Sequence, residues 1–277
     1  MKLRQAYSIA TVFAVLLGAT AARAGISESE QSVLRAKYVE KVLIFHSCYR
    51  VIDKLEVLEN GTVKGKAQPG YWAMDGAFQV KTLSFGKDRV SLKGTKLWAD
   101  IKNDGTLHYF PASAALKGKG DYPGELEVMF RTGVEAESAA EFAARVDRIF
   151  FNDRETMLDS APAPISRYIR NEALQVDIDP ASGAKFKGTP PKPLSTPQPP
   201  LSREASLVGQ TGVESFVVLV DEQGRGSVDA FTRVLQYGLE EATMEAVKKW
   251  KFEPGILDGK PVPLRIAMNI DYKAGVR

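Results

Sequence analysis

The side chains that could carry out a reaction are few. The chain of 277 residues has two histidines, His46 and His108, and one cysteine, Cys48. His46-Ser47-Cys48 sets a thiol two positions from an imidazole, a pairing that can generate a thiolate nucleophile. The same two side chains could supply two metal ligands, but a structural zinc site takes four. A serine triad would need one of the two histidines, and no nucleophile motif surrounds any serine. Gly118-Lys119-Gly120 and Gly224-Arg225-Gly226 lack the spacing of a phosphate loop and the helix that must follow it, so they read as turns. The expectation is a protein with no catalytic residues, no metal ligands and no cofactor. A lone cysteine also excludes an internal disulfide.

Binding is the remaining class of function. Tyr71-Trp72 and Trp98 could line a ligand groove, but rings of this size more often fill a core or brace a hairpin. Asn60-Gly61-Thr62 fits a glycosylation sequon and also a tight hairpin turn. Leu55, Val57 and Val63 on either side favour the hairpin. The net charge of +3 comes from Lys2, Arg4 and Arg23, and beyond residue 24 the chain carries 34 basic against 34 acidic groups. A neutral chain has no electrostatic footprint for nucleic acid or for a membrane surface.

Elements must position whatever binds. Residues 1–24 read as a secretory signal peptide: Lys2 and Arg4 open it, Ile9 to Leu17 is a short apolar core, and Ala22-Arg23-Ala24 suits cleavage before Gly25. The expected product is periplasmic, with no stable membrane insertion. Ser27 and Glu30 are spaced as a capping box for a helix from Glu28 to Tyr38. Short apolar strands follow, among them Val42–Phe45, Phe78–Leu83, Val90–Ile101, Leu107–Phe110 and Leu126–Phe130, with turn residues between them. This pattern predicts an antiparallel meander. Ser138 and Glu141 begin a second helix, whose Phe142, Val146 and Ile149 share a face that closes the sheet.

Nine of the 15 prolines fall between Pro162 and Pro200. Residues 161–200 therefore read as a proline-rich linker between a β-rich domain at 25–160 and a second domain at 201–277. In the second domain, Phe216–Val220 is an apolar strand, Asp221-Glu222-Gln223-Gly224 turns it into another, and Leu239–Trp250 is helical. Glu240 and Glu241 at that helix's start and Lys248 and Lys249 at its end suit the helix dipole. A last strand alternates Leu264, Ile266, Met268 and Ile270 with Arg265, Ala267, Asn269 and Asp271. The overall expectation is an α+β chain: an antiparallel sheet closed by a helix, a linker, then a three-stranded antiparallel sheet with one packed helix.

Residues 201–272 resemble the TonB carboxy-terminal domain. The resemblance rests on Gly212-Val213-Glu214 entering an apolar strand, Val220-Asp221-Glu222-Gln223-Gly224, Ala246-Val247-Lys248-Lys249-Trp250-Lys251-Phe252-Glu253-Pro254, and Asp258-Gly259-Lys260-Pro261-Val262. No family is recognised for residues 25–160. The family's domain pairs a strand edge with a short peptide from an outer-membrane transporter, to which it transmits energy. This implies an edge at Arg265, Ala267, Asn269 and Asp271 that takes an extended peptide of a transporter or another envelope protein. It also implies a core of Trp250, Phe252, Leu264, Ile266, Met268 and Ile270. The chain departs from the family in its cleavable leader, short linker and added β-rich domain. The family's Tyr-Pro pair is replaced by Pro200-Leu201. A homodimer is left open. The alternative is an exported hydrolase or ligand-binding protein whose first domain is active and whose second is a docking module.

Overall fold

The computed structural model describes residues 25–50, 53–64, 68–116, 122–132, 138–151, 158–159, 161–183 and 186–273. The expected leader at 1–24 and the turn Gly118-Lys119-Gly120 lie outside the described residues. Helix α1 (Glu28–Tyr38) begins at Ser27, whose side chain accepts from Glu30 N while the Glu30 carboxylate takes the Ser27 N–H at 2.8 Å. Helix α2 (Ala139–Asp147) begins with the same reciprocal cap between Ser138 and Glu141.

The first sheet has eight strands: β1 (Val42–Phe45), β2 (Lys54–Val57), β3 (Val63–Lys64), β4 (Ala77–Phe85), β5 (Arg89–Ile101), β6 (Leu107–Pro111), β7 (Glu125–Arg131) and β8 (Phe150–Phe151). Their spatial order is β8-β1-β4-β5-β7-β2-β3, and β6 also pairs with β5. The long strand β5 serves three partners, pairing with β4 from Val90 to Leu97. Its first half pairs with β7 and its second half, from Leu97 to Ile101, with β6. Asn60-Gly61 forms the hairpin between β2 and β3, with Gly61 at φ +81° and Asn60 Oδ1 accepting from Thr62 N at 2.9 Å.

The sheet is not a pure antiparallel meander. β2 runs parallel to β7, from Lys54 opposite Glu127 to Val57 opposite Phe130. The chain passes through β3 to β6 before reaching β7, and a connection of that length frees two strands from the antiparallel arrangement a tight hairpin imposes. One face is covered by α1 and α2. Leu34 and Tyr38 from α1 and Phe142 and Val146 from α2 pack on Phe78, Val128 and Phe130.

Helix α3 (Ala163–Ile169) and strand β9 (Lys192–Ser195) lie in the segment expected as an extended linker. Ile165 and Ile169 of α3 are buried. Pro162 and Pro164 sit at its start, where helical N–H groups need no intrahelical partner. Helix α4 (Arg203–Val208) follows, capped by Ser202. The second sheet then forms from β10 (Gly212–Val220), β11 (Gly226–Arg233) and, after helix α5 (Leu239–Val247) and strand β12 (Lys251–Glu253), β13 (Leu264–Tyr272). Its order is β11-β10-β13, antiparallel throughout. Helix α5 stops at Val247, short of the expected Trp250, and the chain tightens so that Trp250 N donates to Val247 O at 3.0 Å.

A single core joins the two sheets. Trp72, Ala99 and Ile101 from the first share it with Ile165, Phe216, Val218, Phe231, Leu239, Trp250 and Ile266. Polar links cross the same boundary. Arg50 Nη2 donates to both Glu204 oxygens at 2.8 and 2.9 Å, and Trp72 N donates to Glu241 Oε1 at 2.9 Å.

Candidate functional site

The strand expected to bind is β13. Its inner side pairs with β10 along the whole length, from Gly212 opposite Tyr272 to Val220 opposite Leu264. With β10 central, the other side of β13 is the edge of the sheet. Leu264, Ile266 and Ile270 are buried, as are Trp250 and Phe252. Met268, expected in the core, is half-buried and lines a surface groove. It stands at the outer strand, where less of the protein covers the side chain.

Period-2 geometry sends the backbone groups of Arg265, Ala267, Asn269 and Asp271 outward. The first two already have partners. Asp177 N and Ile178 N both donate to Arg265 O, at 2.9 and 3.0 Å, and Ala267 N donates to Ile178 O at 2.9 Å. Asp177 Oδ2 accepts from Arg265 N at 2.8 Å. Ile178 thus lies parallel to β13 opposite Ile266. The expectation of a free edge over Arg265 and Ala267 is corrected: residues upstream in the same chain fill it. At Asp179-Pro180 the chain turns away, with Asp179 Oδ1 accepting from Ala181 N at 2.9 Å. Beyond that point, among the described residues, no backbone group pairs with Asn269 or Asp271 on the outer side, and both residues are exposed.

A groove of about 930 Å³ adjoins this open stretch. Its walls include Ile178, Pro190, Pro191, Phe252, Met268 and Asn269. The proline run is held there by β9, which pairs with β12, and by Trp250 Nε1, which donates to Pro197 O at 2.9 Å. The Arg265 guanidinium does not face a partner freely, because its Nε lies 3.0 Å from Asp229 Oδ2. Asp229 also binds Arg167 of α3 at 2.8 Å, so Arg265 is tied into the fold.

Beneath the sheet lies a group of buried acids. Glu214 of β10 is fully buried, and its Oε2 accepts from the Thr243 hydroxyl, itself 2.7 Å from Tyr272 OH. Burial, and then the neighbouring Glu240, push the Glu214 carboxyl well above the usual range, which keeps it neutral. Burial also raises Glu240, which accepts from Leu235 N at 2.8 Å. Glu241 is pushed up to about 7, by burial first and Glu240 second. These carboxyls bond to backbone and hydroxyl groups of their own domain or of Trp72, and they brace the sheet from within.

The residues with reactive side chains are dispersed. His46 is exposed beside Phe151, and His108 is exposed on β6. Burial, and then Asp75, push the Cys48 thiol up to about 12, so it is not a thiolate at neutral pH. Asp75 and Lys96 form a buried pair at 3.4 Å, and Asp75 also accepts from Tyr122 OH at 2.6 Å and Tyr71 N at 3.0 Å. Burial drives Asp75 up and Lys96 down, while Tyr122 OH and Tyr71 N hold the carboxylate and the Tyr49 carbonyl accepts from Lys96 Nζ at 3.5 Å. Trp72 and Trp98 are buried and serve the core. Among the described residues, no cluster of three His, Cys, Asp or Glu side chains could hold a metal ion, and no helix is long and apolar enough to cross a membrane.

The partner of the edge at Asp177-Ile178 escapes sequence reasoning. Val176 and Ile178 alternate with Asp177 and Asp179, which is a strand signal, but Pro180 cuts it to four residues inside a proline-rich stretch.

Comparison with known proteins falls on this same part of the chain. Residues 197–274 match the family model described as the Gram-negative bacterial TonB protein C-terminal. Protein TonB of Vibrio cholerae serotype O1 is 35% identical over 77 residues, which is 27% of this chain and 32% of that protein. The chain therefore spans about a third of the length of that relative. A solution structure of the Pseudomonas aeruginosa TonB carboxy-terminal domain is 24% identical, covering 33% of this chain and 94% of the other, with a TM-score of 0.28.

Proposed function

We propose that this chain, whose residues 197–274 form a TonB C-terminal domain, is a non-catalytic envelope protein that captures an extended peptide on the outer edge of β13. The observation that carries the reading is the outer backbone at Asn269 and Asp271, unpaired among the described residues, beside an apolar groove. An added strand takes its affinity from main-chain hydrogen bonds and its specificity from alternate side chains in pockets. Here the donors and acceptors at 269 and 271 supply the first, and the groove along Met268, Phe252 and the prolines supplies the second. The partner class that fits is a segment of an outer-membrane transporter or another envelope protein. The protein acts in the periplasm after loss of residues 1–24. The first sheet holds the binding edge through the shared core and does no chemistry.

The test is Asn269→Pro. It deletes one outward donor from an edge strand, where proline is tolerated. Ala267→Pro is the poorer probe, because the Ala267 N–H is already bonded to Ile178 O. Crosslinking in the native envelope should capture partners with the wild type and lose them with Asn269→Pro, while thermal unfolding stays close to wild type. Undiminished capture by a folded Asn269→Pro protein refutes binding at this edge.

A further inference from the structure

The binding edge carries an occupant that belongs to the chain itself. Asp177 and Ile178 make the contacts of an added strand: two N–H groups to Arg265 O, one carbonyl to Ala267 N, and a carboxylate on Arg265 N. Their hold is short. It ends at Pro180, which has no N–H to continue the ladder, and Val176 just upstream is 39% exposed. Ile178 is half-buried and packs on the shared core from its rim, where it also forms part of the groove wall. Gln175 and Pro180 on either side are exposed, and the Gln175 Nε2 bond to Asp177 Oδ1 at 3.0 Å lies within the segment and does not tie it to the rest of the fold.

We propose that Val176–Asp179 is a displaceable internal strand that closes the first half of the β13 edge and competes with the partner peptide for it. The proposal rests on the reading of β13 as the peptide-binding edge. A partner anchored at Asn269 and Asp271 can extend toward Arg265 only by removing Ile178 from Ala267. A tethered segment faces its site at a local concentration in the millimolar range, so weak contacts suffice to keep it in place. The tether sets a threshold. A peptide that pairs only at 269–271 binds the open half, and one that continues to 265 must outcompete the internal strand.

The experiment uses the full chain and a fluorescent peptide of the segment itself, Leu174 to Pro180, as the probe. The double variant Asp177→Ala/Ile178→Gly removes the carboxylate cap and the aliphatic contact. It should bind the added peptide at least tenfold more tightly than the wild type does. Amide exchange reads the same event and checks the fold. Ala267 N–H should be protected in the wild type, exchange rapidly in the variant, and regain protection when peptide is added. The amides of β13 that face β10 should stay protected throughout. Should the double variant unfold, Asp177→Ala alone keeps the Ile178 contact, and Arg265 N–H should then lose protection. Equal peptide binding by wild type and folded variant overturns the proposal, as does slow exchange at Ala267 in the variant without peptide. These readouts need no natural partner. If the variant behaves as expected but captures no more envelope protein than wild type, the internal strand stands and the β13 reading fails.

Discussion

Trp250 offers the sharpest test of how the C-terminal sheet is held. It is 4% exposed, its ring lies 6.2 Å from Phe216 and 6.3 Å from Phe252, and its Nε1 donates to Pro197 O. Trp250→Ala removes both the packing and the bond. Deleting a large buried aromatic costs about 3–5 kcal/mol. Trp250→Phe keeps most of the packing but loses the bond and part of the buried ring, which together should cost about 1–2 kcal/mol. Because Trp250 belongs to the core that joins the two sheets, the loss falls on the whole molecule. With a urea slope of about 3 kcal/mol/M, Trp250→Ala should move the midpoint down by roughly 1–1.7 M and Trp250→Phe by about 0.3–0.7 M. Far-UV circular dichroism is the suitable probe, since it does not depend on the deleted indole. A Trp250→Ala midpoint indistinguishable from wild type would show that the ring is not a structural keystone. A Trp250→Phe loss as large as that of Trp250→Ala would place the energy in the bond to Pro197 and not in packing.

Two further outcomes follow from the same geometry. Glu214 is protonated in the fold and ionised in the unfolded chain once pH exceeds the ordinary carboxylate range, so the unfolded state binds fewer protons and stability falls as pH rises. Glu214→Gln should flatten that decline, measured as thermal midpoints from pH 5 to pH 8, and an unchanged slope counts against a neutral Glu214. A fragment from residue 161 should unfold cooperatively and at higher temperature than one from residue 201, because the shorter piece lacks α3, the Asp177-Ile178 contacts, β9 and the Trp250 bond to Pro197. Equal midpoints for the two fragments would assign those contacts no energetic weight.

Local pattern made much of this legible. Both capping boxes, at Ser27 and Ser138, stand where the Ser-x-x-Glu spacing places them, and the hairpin at Asn60-Gly61 follows from a turn that needs positive φ. The alternation in Leu264–Tyr272 separates the inward side chains from the outward ones, with Met268 the exception because the strand is an edge. What the sequence hides is long-range pairing. Nothing in Lys54–Val57 says that its neighbour is Glu125–Arg131 or that the two run parallel. Proline content suggests an extended spacer, yet Pro162 and Pro164 start a helix, Pro193 pairs with Phe252 and Pro197 O accepts from Trp250 Nε1. Proline forbids donation but leaves the carbonyl and the ring free to pack. The self-occupied edge is hidden for a related reason, since three of its four bonds run between backbone atoms common to every residue type and only the Asp177 carboxylate adds a side chain.

The parallel pairing of β2 with β7 also governs how the chain comes together in time. β2 finds its neighbour only after β3 to β6 have been made, and β1 meets β8 only when Phe150 is available to Phe45. Contacts between distant segments demand loop closure before they return any energy, so a sheet built from them assembles slowly.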